Sequence, residues 1–336
     1  MIPATASAIY GAIAARRRRW YESDPARQRR LSRPVVSIGN LRAGGAGKTP
    51  VVAALARLLT SRGERPSILT RGYAREVSSD GVTVVSDGRR IIEGIETAGD
   101  EALMLARELA DTPVLVGADR YLSGCLAERR FGVTVHLLDD GFQHLALARD
   151  LDLLLVDEED LSDSLLPGGR LREPITTAAR ADALLTSASV QVCERFLDVP
   201  GVTTVFRVTR ALGTPRWLQG SAGLKSCTTS TPVFGIAGIA RPQRFFDDLT
   251  AAGWKLTGSL NFRDHHVYKA ADLERIAQAA RASGASVVLT TEKDAVKLEK
   301  LASADRSIAA VPLTVTFEPA FLDWLWARTS VWSVGV

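Results

Sequence analysis

The sequence predicts an α/β protein, a mostly parallel sheet with helices on both faces and a smaller C-terminal α/β domain. Three observations carry that expectation. An apolar strand, Val35–Ile38, runs into a glycine-rich turn and then into an apolar-periodic helix containing Val51, Val52, Leu55, Leu58 and Leu59. Continuous apolar runs such as Leu151–Val156, typical of parallel strands buried on both faces, alternate with helical patterns up to about residue 190. A fresh strand-to-helix unit then begins at Pro232-Val233-Phe234-Gly235-Ile236-Ala237.

The elements follow in order. After the first helix, Pro66–Thr70 reads as a strand and the region Val82–Ile92 as a β-hairpin. Asp100–Leu109 reads as a helix, Pro113–Val116 as a short buried strand, Leu126–Arg130 as the end of a helix and Val133–Leu138 as another strand. The pattern weakens across 203–215, where Val202–Val208 suits a linking strand. Val287–Thr290 and Val311–Val315 are the later strands. The expected division is therefore an N-terminal helix over 1–22, a nucleotide-binding domain over 23–202, a linker over 203–215 and a smaller domain over 216–336.

Composition narrows the function. The chain has 336 residues, 46% of them hydrophobic and 24% charged, as in a folded globular protein. Its three cysteines are scattered with no CxxC pair, and there are only four histidines, which argues against a zinc enzyme or a disulfide framework. The net charge of +4 is unevenly placed. Residues 1–33 hold eight arginines against Glu22 and Asp24, a local +6 that leaves −2 for the rest. A nucleic-acid binder spreads its basic residues over the folded body, and this chain does not.

Those arginines follow an apolar segment, Ile2 to Ala15, too short to span a bilayer, which takes about 20 apolar residues. Ile2, Ala6, Ile9, Ile13 and Trp20 recur at helical spacing. The expectation is an interfacial amphipathic helix with Arg16–Arg19 beside an anionic membrane surface. A cleaved signal peptide is the rival, although its positive charges should precede the apolar run, and a surface helix packed on the domain is the plainer alternative.

The turn Asn40-Leu41-Arg42-Ala43-Gly44-Gly45-Ala46-Gly47-Lys48-Thr49-Pro50 is a P-loop. Its glycines let backbone N–H groups wrap an anion, and the following helix aims its positive dipole end at the same point. Asn40, Gly44, Gly45, Ala46, Gly47, Lys48, Thr49 and Pro50 are the nucleotide-binding candidates. Lys48 reaches toward the outer phosphates, and the Thr49 hydroxyl suits Mg²⁺. Arg42 stands where the general pattern has its first glycine. The fold expectation is thus P-loop NTPase-like.

Other motifs sit where ligands bind. His136-Leu137-Leu138-Asp139-Asp140-Gly141-Phe142-Gln143-His144 places two carboxylates at the C-terminal end of a strand, where Asp139 or Asp140 can hold or orient Mg²⁺. A plain Asp-Gly turn is the other reading. Gly99-Asp100-Glu101 opens a helix, for which an acid is also ordinary N-terminal chemistry. Asp264-His265-His266 lies in a loop, Leu171-Arg172-Glu173 in a rigid turn able to bind phosphate or sugar hydroxyls, and Thr291-Glu292-Lys293-Asp294 reads as a capped helix start.

Together these segments, with Arg71-Gly72-Tyr73 and Val116-Gly117-Ala118-Asp119-Arg120, resemble the tetraacyldisaccharide 4′-kinases of lipid A synthesis, in family order from about residue 35 to 298. The resemblance implies transfer of the ATP γ-phosphoryl to the 4′-hydroxyl of an acylated glucosamine disaccharide 1-phosphate, at the cytoplasmic face of the bacterial inner membrane. It implies ATP and Mg²⁺, with Asp100 taking the hydroxyl proton aided by His265. Lys48, Asp139 and Asp140 would support catalysis, and Thr49, Asp139 and Gln143 would lie at the metal. Tyr73, Arg120, His144, Arg172 and Glu173 would contact the acceptor. Arg42 then matches a family that also lacks the first glycine, whereas Arg241 and Val267 depart from it. No obligate protein partner is implied. A nucleotide-hydrolysing switch and a non-catalytic membrane scaffold are the alternatives from other classes.

Overall fold

The computed structural model describes residues 4–73, 75, 77, 81–218, 227–299, 301, 308–330 and 332. The strands are β1 (Val35–Asn40), β2 (Pro66–Thr70), β3 (Thr83–Asp87), β4 (Pro113–Val116), β5 (Val135–Asp139), β6 (Leu151–Leu155), β7 (Ala183–Thr186), β8 (Val205–Leu212), β9 (Arg216–Trp217), β10 (Pro232–Ala237), β11 (Lys255–Asn261), β12 (Val287–Thr291), β13 (Ile308–Val311) and β14 (Leu313–Phe317). The helices are α1 (Ala4–Glu22), α2 (Lys48–Ser61), α3 (Ile95–Ala98), α4 (Asp100–Glu108), α5 (Arg120–Phe131), α6 (Val190–Leu197), α7 (Pro242–Ala251), α8 (Ala270–Ala282), α9 (Glu292–Leu298) and α10 (Pro319–Thr329).

The strands form two sheets. The larger runs β14-β8-β7-β6-β1-β5-β2-β4-β3 and the smaller β11-β10-β12-β13-β9. β1 lies between β5 and β6, parallel to both, so its whole length is buried. That is why the run reads as apolar without alternation. The ends of β1 and β5 thus lie side by side, and the glycine-rich turn opens beside Asp139 and Asp140. Only the edge strands of this sheet, β3 against β4 and β14 against β8, pair antiparallel. The expected hairpin over Val82–Ile92 is present in short form: the chain turns back after Asp87, with a bridge between Ser86 and Ile91 and Ile92 N–H donating to Val85 O at 2.8 Å, while the other edge of β3 pairs with β4.

Strand pairing draws the domain boundaries differently from the expected ones. β8 is no linker: it pairs with β7 inside the large sheet. The anticipated strand Val311–Val315 is two strands in two sheets, divided at Pro312, which has no N–H to continue a ladder. β14 and α10 return to the large domain, where Phe317, Phe321 and Leu325 pack with Phe206 in its core. The chain crosses between sheets at 213–215 and at 312, and the crossings touch: Gly213 N–H donates to Pro312 O at 2.8 Å. The small domain is thus an insertion over roughly 216–311.

Helix α1 spans nearly the whole expected N-terminal segment; Ile2 lies outside the described residues. It packs on the large domain through Gly11, against Leu165, and through Arg18, which is buried. Ile9, Ile13 and Trp20 point outward, 58%, 64% and 51% exposed. No helix among the described residues is long and apolar enough to cross a membrane.

Candidate active site

The P-loop leaves β1 at Asn40 and enters α2 at Lys48 through Gly47, whose φ of 75° lies in the left-handed region open to glycine. Gly39 is needed for another reason: a Cβ there would meet Phe142 at 2.3 Å. Pro50, in the first turn of α2, costs no hydrogen bond, since that N–H would have no partner within the helix. Arg42 has a structural task. Its buried guanidinium binds Asp160 at 2.7 Å and also Glu159, tying the start of the loop to the segment after β6. An arginine in place of the first glycine therefore anchors this loop rather than disrupting it.

Lys48 is held at the loop's focus. Its Nζ donates to Asn40 Oδ1 at 2.8 Å and lies 3.3 Å from Asp140 Oδ1. Asp140 also receives Arg172, with both carboxylate oxygens 3.1 Å from the guanidinium. Burial alone would raise its carboxyl pKa, but Lys48 and Arg172 outweigh this and hold it below the ordinary range. Asp140 sits at φ 56°, a conformation costly for a non-glycine residue and one that marks functional turns.

Its neighbour Asp139 is in the opposite state. It is 2% exposed, and its Oδ1 has no hydrogen-bond partner. Burial, then the nearby Glu101 and Asp140 charges, push its pKa up to about 7 against the pull of Lys48 and Arg120. An orphaned buried carboxylate among other carboxylates fits a cation, so Asp139 and the Thr49 hydroxyl suit Mg²⁺. Gln143 does not: its Oε1 accepts from Arg172 at 3.1 Å and its Nε2 donates to Asn40 O at 3.0 Å. Its amide braces Arg172 against the P-loop instead of offering a free oxygen.

Across the cavity, Asp100 opens α4 and His265 comes from the loop between β11 and α8. His265 Nδ1 lies 2.9 Å from Asp100 Oδ2. Burial would raise the Asp100 carboxyl pKa, but the hydrogen bond from His265 and the charges of Lys293 and Lys297 win and keep it low. Lys293, at the start of α9, places Nζ 3.1 Å from both His265 Nε2 and Glu101 Oε1. Asp100, Glu101 and His265 lie as close together as a metal-ligand set, with their ligand atoms within 4.8 Å. The Lys293 ammonium already supplies the positive charge there. Tyr73 packs its ring 5.0 Å from that of His265. His265 and Asp140 share the same left-handed backbone, both at φ 56°.

Three expected acceptor residues are placed differently. Glu173 is buried and gives both carboxylate oxygens to Arg18 of α1, at 2.6 and 2.9 Å, so it fastens the N-terminal helix rather than standing free for a ligand. Arg120 is buried, its pKa lowered to about 10 by burial and then by Arg71. His144, its pKa lowered to about 4 by burial and then by Arg120 and Arg149, has a buried Nε2 without a partner. Neither lines the main cavity, whereas Tyr73, Arg172 and, despite its pairing with Arg18, Glu173 do. Sequence reasoning missed the roles of Lys293, Glu101 and Lys297. The segment Thr291-Glu292-Lys293-Asp294 is indeed a capped helix start, with Thr291 Oγ1 accepting from Asp294 N–H at 3.1 Å. That local account is complete and conceals what Lys293 touches.

The cavity between the domains has a volume of about 830 Å³. Its walls include the P-loop from Ala43 to Pro50, His265 and Lys293, and Tyr10, Ile13 and Arg17 of α1. Ala240 of the small domain approaches Gly44 and Gly45, roofing the loop. A phosphate-cradling loop, an acidic pair at the adjoining strand end and a carboxylate–imidazole pair opposite define a P-loop kinase.

The comparisons give the particular family. The family model for tetraacyldisaccharide-1-P 4′-kinase matches residues 2–330, and the chain belongs to that family. It is 41% identical to the tetraacyldisaccharide 4′-kinase of Koribacter versatilis over 320 residues, covering 94% of each chain. It is 39% identical to that of Desulfotalea psychrophila, over 92% of this chain and 90% of the relative. The crystal structure of LpxK from Aquifex aeolicus in complex with ATP superposes with a TM-score of 0.77 at 31% identity, covering 98% of this chain and 97% of that one.

Proposed function

We propose that the chain moves the γ-phosphoryl group of ATP onto the 4′-hydroxyl of a tetraacyldisaccharide 1-phosphate, with the Asp100–His265 pair as proton acceptor. The observation that carries the reading is the pair itself, 2.9 Å apart, with His265 lining the same cavity as the P-loop and Asp100 buried directly behind it. Phosphoryl transfer demands positioning and charge neutralisation more than covalent chemistry. The P-loop amides and Lys48 hold the β- and γ-phosphate oxygens. Thr49 and Asp139 would hold Mg²⁺, which would supply neutralisation of phosphate charge. Arg172, braced by Asp140 and Gln143, faces the same space with a second positive charge. The acceptor oxygen attacks the γ-phosphorus, the bond to the β-phosphate oxygen breaks, and the hydroxyl proton passes to the Asp100 carboxylate while His265 Nδ1–H steadies it. Because His265 belongs to the small domain, the pair assembles only when the domains meet, which also excludes water.

The acceptor carries acyl chains, so the enzyme works at a membrane surface, on this reading the cytoplasmic face of the inner membrane. Helix α1 suits that place. It turns Ile9 and Trp20 outward with Arg16 and Arg19, while Tyr10, the exposed Ile13 and Arg17 stand at the cavity. The test is direct: purified protein with Mg²⁺, ATP and the acylated disaccharide should yield an acceptor heavier by one phosphate. ATP consumption with no such product would overturn the proposal in favour of a hydrolysing switch.

A further inference from the structure

We propose that Lys293 is a positioning residue that sets the tautomer of His265, occupying Nε2 so that the ring proton is confined to Nδ1 and directed at Asp100. The inference rests on reading Asp100 and His265 as the proton-accepting pair. An ammonium group only donates hydrogen bonds. Its 3.1 Å contact with His265 Nε2 is therefore a hydrogen bond only if Nε2 carries the lone pair. Nδ1 then carries the hydrogen and donates across 2.9 Å to Asp100 Oδ2. In the other tautomer, two N–H groups would oppose each other at Nε2 and a lone pair would face a carboxylate at Nδ1. Both contacts would be lost.

The surroundings keep Lys293 in this task. Its Nζ also lies 3.1 Å from Glu101 and 3.5 Å from Asp264, and these charges with Asp100 outweigh burial and raise its pKa, so it stays an ammonium. The groups around the pair are Asp100 and Glu101 from α4, Asp264 beside the histidine, Lys293 and Lys297 from α9, and the Tyr73 ring. Among them Lys293 is the group within hydrogen-bond distance of Nε2, at 3.1 Å, while Asp264 Oδ1 stands farther off at 3.8 Å. It reaches one acid of the large domain, Glu101, while holding the histidine of its own domain. The side chain that sets the tautomer therefore also joins the two domains, through Glu101.

The test uses the full chain. Nitrogen-15 spectra of the imidazoles, with His265 assigned through His265→Gln, should show Nδ1–H and an unprotonated Nε2 in the parent. In Lys293→Met that signature should move toward the Nε2–H form, kcat should fall about 10- to 100-fold, and KM for ATP should stay within about threefold. Lys293→Arg, which still presents N–H donors, should restore the parent signature and return kcat to within about tenfold of the parent. An unchanged His265 signature in Lys293→Met, or a changed signature with unchanged kcat, would overturn the proposal. Full kcat in Asp100→Asn would instead overturn the reading of the pair, and leaves the tautomer measurement to judge Lys293 separately.

Discussion

Asp100 and His265 are 165 positions apart in the chain, belong to different domains, and meet with Nδ1 and Oδ2 2.9 Å apart. The contact is made possible by the way the small domain is inserted. Entry at 213–215 and return at Pro312 lie side by side, so that domain hangs from a double connection and faces the P-loop across a single cavity. A carboxylate in that position is held ionised, and its partner imidazole is oriented from the opposite wall.

Asp100→Asn removes the proton acceptor while keeping shape. The expected result is a kcat lower by about 10²- to 10⁴-fold with KM for ATP within about threefold, read by steady-state phosphorylation of the disaccharide. A drop confined to KM would mean that Asp100 only binds.

Lys48→Ala takes away the cation that pairs with Asp140 and is anchored by Asn40. Removing one preorganised donor from a transferring phosphoryl group costs about 10²- to 10³-fold in kcat. Binding of a fluorescent ATP analogue should weaken in parallel.

Arg18 and Glu173 form a buried pair, each side chain 7% exposed. Arg18→Ala leaves a carboxylate buried and unpaired, and should lower stability by about 3–5 kcal/mol in urea unfolding. Adding Glu173→Gln should recover part of the loss. Equal stability of Arg18→Ala and the parent would show that α1 is not fastened as the structure has it.

Deleting α1 outright would therefore confound membrane binding with stability. Ile9→Asp with Trp20→Asp is cleaner, since both side chains are exposed and neither lines the cavity. Sedimentation with vesicles containing anionic lipid should fall at least about tenfold, because each large apolar side chain contributes roughly 1.5–3 kcal/mol when buried. Turnover of a short-chain acceptor should be unaffected.

His136 is wholly buried, and burial lowers its pKa more than the contact with Glu128 raises it. The unfolded chain then takes up a proton near pH 6.5 that the folded chain refuses. Stability should thus fall as pH drops from the unfolded value toward the lower folded one, by at most about 1.4 kcal/mol per pH unit. Urea midpoints at pH 7.5 and 5.5 should differ less in His136→Gln than in the parent.

What could be read from the chain alone was what is local. The strand, glycine turn and helix from Val35 to Leu59 declare a phosphate loop because each residue's conformational preference and the apolar period agree within a short span. Leu151–Leu155 likewise reads as a buried strand from its own composition. Ordered motifs carried the family, and with it the expectation that Asp100 and His265 act together.

Tertiary structure alone decided what those residues touch. Glu173 looks like a ligand contact until Arg18, far away in sequence, claims it, and Gln143 looks like a metal ligand until Arg172 and Asn40 occupy its amide. Lys293 looks like part of a helix cap until the facing domains set it against His265 and Glu101. Val311–Val315 looks like one strand until Pro312 sends its halves to different sheets. Hydrogen bonds and ion pairs between distant segments depend on how apolar faces pack, and that packing is a property of the whole chain, which no short window of residues contains.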